Sequence, residues 1–205
     1  MITQESNLME KIIIHTQDRT DRLDLFKKEM ANERCYDYLI WPAEKNPNNP
    51  VNAISHAHKS AVRYAKERDL PMILIMENDI KFVATCALSH FLNLVKDVPD
   101  DWYLFLAGMS TGLPEVVDHS ISKVGKFTGL HCYIIRARFY DKFLYASPNV
   151  NIDAWVSSPT MGGALSYCAI PMLAVTYSGS SDNSRKELDS GRYFHKYNNL
   201  KPELC

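Results

Sequence analysis

Over the first 110 residues, short aliphatic runs alternate with segments whose apolar residues recur at helical spacing, and this alternation constrains the fold most. KIIIHT (11–16) is a β-branched run bounded by polar residues, which suits a central strand. Thr20 then offers an N-cap, and Leu23, Phe26 and Met30 follow at helical spacing. YDYLIWP (36–42) reads as a second strand stopped by Pro42, followed by a Pro- and Asn-rich loop to 52. A helix from about 53 to 68, the strand LPMILIM, a helix from about 85 to 96 and the strand WYLFLAG (102–108) complete the series. Strands separated by helices imply an α/β fold: a mostly parallel, Rossmann-like central sheet with helices on both faces.

Beyond residue 110, HCYIIR (131–136) reads as a strand, 137–145 and 153–155 as short helices, and 168–177 as an apolar stretch. The segments 42–52, 108–128 and 178–205 read as loops, the last as a polar tail or lid. With 205 residues, 46% of them hydrophobic, the chain is sized for a single domain with an ordinary core, 1–205. A net charge of -1 gives the whole molecule no electrostatic pull on nucleic acid or anionic membrane. There is no apolar run of spanning length, so a cytoplasmic protein is expected. Five dispersed cysteines without a C-x-x-C pair read as reduced thiols used in packing.

The stretch ILIMENDIKF (73–82) carries the chemistry, because an apolar strand ends in Glu77 and Asp79. In extended chain these two leave the same face and Asn78 the other, and two adjacent carboxylates require a cation, a shared proton or water. In open parallel sheets ligands bind beyond the carboxyl ends of the strands, so this pair suits Mg²⁺ or Mn²⁺ bridging a diphosphate. The competing reading makes E-N-D a turn, with Asp79 capping the next segment and Glu77 in solvent. A haloacid-dehalogenase-type phosphatase lacks its nucleophilic Asp here.

Arg19 and Arg22 stand where a strand runs into a helix N-terminus, a place that favours phosphate. His56 and His58 are not at the i, i+4 spacing of a helical metal pair. His131 opens a strand after Gly129 and could bind a metal or a diphosphate, or be structural. Asp153, next to Ala154 and Trp155, suits a base in a sugar site or an N-cap. No G-x-G-x-x-G or P-loop is present.

Taken in order, IIIHTQDRTDRLDLF, NAISHAHKSAVRYA, LIMENDIKF, GLHCYIIR, NIDAWV and SSDNS resemble the motifs of glycosyltransferase family 25, the enzymes of lipopolysaccharide biosynthesis and collagen galactosylation. That family shows N-L-D-R-R-x-D-R after a strand, a helix opening A-L-S-H, a strand ending L-E-D-D, a later single Asp and a closing S-D. The resemblance implies a GT-A fold, a UDP-galactose or UDP-glucose donor, a glycan or other hydroxyl acceptor, Mn²⁺ or Mg²⁺, and transfer with inversion. It places the metal on Glu77 and Asp79, the donor on Arg19, Arg22, Ser55, His56, Asn78, His131, Ser181 and Asp182, and the catalytic base on Asp153. Departures are Asn78 in place of the middle carboxylate, Ile54 in place of Leu, and Gln17 and Asp18 where a first arginine is expected. Two alternatives stand beside this: a non-catalytic binding protein on a degenerate fold, and a transferase acting on modified DNA bases.

Overall fold

The computed structural model describes residues 9–116, 120–161 and 165–177 together with the short strand pair 179–180 and 187–188. An eight-stranded sheet in the order β2-β1-β3-β8-β5-β9-β7-β6 organises the chain. Its strands are β1 (Lys11–Thr16), β2 (Leu39–Ala43), β3 (Met72–Glu77), β5 (Leu104–Leu106), β6 (Thr111–Val116), β7 (Ile121–Thr128), β8 (Cys132–Arg136) and β9 (Ser166–Ala169). Six of the eight run the same way; β8 and β7 run against them. Strands β4 (Ile80–Phe82) and β10 (Ala174–Thr176) pair separately, as do β11 (Gly179–Ser180) and β12 (Glu187–Leu188).

Period-2 alternation sends successive side chains into two hydrophobic layers. Ile13, Leu74, Met76, Phe105 and Ile134 face α1 (Thr20–Asn32) and α3 (Ala87–Leu94). Ile12, Ile73, Ile75, Leu106 and Tyr133 face α2 (Pro50–Glu67), α4 (Ala137–Leu144) and α5 (Ile152–Val156). Helices therefore cover both faces, as the alternation implied.

Several local expectations need correction. Within the segment 108–128, expected to be a loop, β6 and β7 pair antiparallel, their register shifting between Gly112 and Pro114. Gly and Pro inside this segment obscure its strand pattern. Strand β2 runs through Pro42 to Ala43, which is tolerated because β2 is an edge strand. Helix α2 starts at Pro50, capped by the Asn49 side chain accepting from Asn52 N–H at 3.0 Å. The N-cap of α1 is Arg19, not Thr20. The stretch 168–177 divides into β9 and β10 around Ile170–Pro171. Cys86 is disulfide-bonded and so is not the reduced thiol expected, whereas Cys35, Cys132 and Cys168 are free and buried. Burial pushes the Cys168 thiol up to about 12 and Cys35 to about 11, which suits packing rather than nucleophilic use.

Candidate functional site

The carboxyl ends of β1, β2 and β3 lie at one edge of the sheet, and antiparallel β8 begins there; Glu77 N–H donates to His131 O at 2.8 Å. A cavity of about 790 Å³ opens over this edge. Thr16, Arg22, His58, Glu77, Asn78, Asp79, Gly129, His131, Asp153 and Tyr177 are among its lining residues. Its volume lies in the range of small-molecule and cofactor sites.

E-N-D is indeed a turn, because β3 stops at Glu77 and β4 starts at Ile80. The turn abolishes the simple alternation expected of an extended chain, and all three residues line the cavity. Glu77 Oε1 lies 3.2 Å from Nε2 of His58 on α2. Asp79 Oδ2 lies 3.0 Å from the Arg22 guanidinium on α1. Asn78 Nδ2 meets His15 Nδ1 at 2.8 Å, so the residue in place of a middle carboxylate is held by β1. Asp79 Oδ1 is buried without a hydrogen-bond partner.

Helix α5 delivers Asp153. Asn151 caps this helix by accepting from Ala154 N–H at 3.0 Å, leaving the Asp153 side chain for the cavity. Asp153 Oδ2 accepts from Gly129 N–H at 2.9 Å. Gly129 adopts φ +102°, and a Cβ there would lie 2.6 Å from Ser110 N, so this anchor requires glycine.

These environments split the proton affinities of the acids. Burial raises Asp79 to about 6, with the Glu77 charge adding to it and Arg22 opposing. Burial also raises Asp153, against the Gly129 hydrogen bond. Burial acts on Glu77 in the same sense, but the His58 hydrogen bond and, further off, the Arg22 charge oppose it, and Glu77 is held below its ordinary value. Burial lowers His131, whose Nε2 is 3.4 Å from Ala174 O and whose Nδ1 is buried without a partner.

Other expected residues lie elsewhere. Arg19 forms a two-pronged pair with Asp21 at 3.0 and 3.1 Å and lies outside the cavity lining, reaching Asp79 only through its field. Ser55 is fully buried away from the cavity and His56 is exposed. Ser181 and Asp182 lie outside the described residues. Sequence reasoning missed His58. The signal was its place on the apolar stripe of α2 with Ala57, Ala61, Val62 and Ala65, which turns it toward the sheet.

Among the described residues, no group of three or more His, Cys, Asp and Glu is arranged to hold a metal ion. Two carboxylates nonetheless fit a hard divalent cation that takes its other ligands from phosphate and water, and the orphaned Asp79 Oδ1 is an available oxygen. No described helix is long and apolar enough to cross a membrane.

No protein-family model matches the chain, and no curated protein matches it. Among solved structures it is similar to the catalytic domain of Drosophila β1,4-galactosyltransferase 7 with xylobiose, at TM-score 0.49 and 12% identity over 94% of this chain and 82% of that one. It is also similar to a glycosyltransferase involved in glycosylating the major capsid of the virus PBCV-1, at TM-score 0.47 and 11% identity over 86% and 96%. A third is an apo UDP-glucose pyrophosphorylase, at TM-score 0.48 and 7% identity over 80% and 74%. These are distant likenesses of chain trace, so the chemistry has to be read from the cavity itself.

Proposed function

We propose that this chain is a metal-dependent glycosyltransferase that moves a hexose from a UDP-linked donor to a hydroxyl of a glycan or lipopolysaccharide-like acceptor, with inversion. The observation that carries the reading is the meeting of Glu77, Asp79 and Asp153 in one cavity with their proton affinities pushed apart. Glu77, kept ionised, suits cation binding, and Asp153, whose proton affinity is raised by burial, suits proton abstraction from an acceptor hydroxyl.

Glu77 and Asp79 are the residues to hold Mn²⁺ or Mg²⁺. The cation, when bound, supplies charge stabilisation for the leaving nucleoside diphosphate. Arg22, at the same cavity edge, has the chemistry to meet diphosphate oxygens, and Asn78 and His131 line the wall beside it. Asp153 Oδ2 is held by the Gly129 N–H, which fixes the carboxylate while its other oxygen takes the acceptor proton. Inversion follows if that hydroxyl attacks the anomeric carbon opposite the leaving diphosphate.

A thermal-shift series with UDP, UDP-galactose and UDP-glucose, each with Mn²⁺ or EDTA, tests the reading. A ligand at about 100 times its Kd stabilises the fold by roughly 2.7 kcal/mol. The expected result is a raised midpoint that requires both the metal and an intact Asp79, lost in Asp79→Ala. Equal midpoints under every condition favour the non-catalytic alternative.

A further inference from the structure

His58 is 1% exposed and has polar partners on both ring nitrogens. Nδ1 is 2.9 Å from the Tyr133 hydroxyl and Nε2 is 3.2 Å from Glu77 Oε1. The imidazole also stacks on the Tyr133 ring, with centroids 5.8 Å apart and planes 28° apart. Tyr133 is fully buried on β8, and among the described residues its hydroxyl has His58 as its hydrogen-bond partner.

Hydrogen-bond chemistry gives this chain of groups a direction. Glu77 Oε1 faces Nε2 at 3.2 Å, and a carboxylate oxygen only accepts. Nε2 must therefore carry a hydrogen, because the other tautomer would set a lone pair against the carboxylate. In the neutral ring Nδ1 is then the acceptor, and the Tyr133 O–H is placed to donate to it. The order is Tyr133 O–H to His58 Nδ1, then His58 Nε2–H to Glu77. It runs from the buried layer to the cavity wall and ends on Oε1, leaving Oε2 for another partner.

We propose that His58 is a positioning residue, locked in its Nε2–H tautomer by Tyr133, that fixes the charge and orientation of Glu77 for a divalent cation shared with Asp79. The inference rests on the proposed transferase reading, since it assigns Glu77 to the cation. Buried partners that orient a metal ligand are typically worth 10- to 100-fold in metal affinity.

The test compares two amides. His58→Gln reaches the Nε2 position and can donate to Glu77; His58→Asn is shorter, and its amide falls near the Nδ1 position, toward Tyr133. Mn²⁺ affinity in the presence of UDP is measured by electron paramagnetic resonance, and nitrogen NMR of labelled histidine reports the wild-type tautomer at about pH 8, above the ordinary histidine range. The expected outcome is an Nε2–H ring, near-wild-type Mn²⁺ affinity in His58→Gln, and a loss of about 10- to 100-fold in folded His58→Asn. Combining His58→Asn with Glu77→Gln should add nothing to the loss from Glu77→Gln alone. Equal affinities in wild type and both amides, or an Nδ1–H ring, overturn the inference while leaving the transferase reading intact. Wild-type protein that binds no Mn²⁺ with UDP present overturns the cation reading and this inference together.

Discussion

Asp79 shows how a functional group can cost stability. Its carboxyl is raised from 3.8 to about 6 by burial and by Glu77, and its side chain is 18% exposed. The folded state therefore holds the proton more tightly than the unfolded chain. Without metal, Asp79 favours folding most below its unfolded pKa, and this contribution is lost as pH rises through about 6. Asp79→Asn removes the titration and also forfeits the Arg22 pair. Metal-free melts at about pH 4 and pH 7 should show a flatter pH dependence for the variant than for wild type. Parallel curves would mean that Arg22 already neutralises the site.

At the scale of elements, α1 fastens the acidic turn in place. Arg22 holds Asp79, Glu29 accepts from Phe82 N–H at 3.2 Å and from the Tyr177 hydroxyl, and Glu33 accepts from Leu88 N–H at 2.8 Å. The last contact substitutes for a missing cap. Cys86, the N-cap of α3, is in the left-handed region at φ 67° and has no side-chain cap bond. Glu33→Ala should therefore destabilise the protein by about 1 kcal/mol in urea titration, the usual cost of losing a cap. No change would show that water satisfies the α3 N-terminus equally well. Such a cap, supplied across 55 residues of sequence separation, has no local sequence pattern that could announce it.

At the scale of the molecule, the sheet separates a largely structural layer from the layer that carries His58 and Asp153. Phe105 is buried in the first, stacked on Phe91 at 4.7 Å and close to Trp102 at 6.4 Å. Phe105→Ala should cost about 3 to 5 kcal/mol by denaturant unfolding while leaving the nucleotide affinity of the folded fraction unchanged. A large affinity loss in protein shown to be folded would mean that the two layers are coupled through β5. The alternation of aliphatic runs and amphipathic segments was enough to establish a sheet covered on both faces, and ILIMEND to locate a carboxylate-bearing strand end, because periodicity and burial are local properties. Tertiary structure alone reversed β8 and β7, paired β6 with β7, and turned Asp79 toward Arg22 and Glu77 toward His58. Those outcomes depend on which strands become neighbours and which helix faces close over them. Asp153 lies 76 positions after Glu77 and shares its cavity only because α5 packs back over the edge where β3 ends and β8 begins.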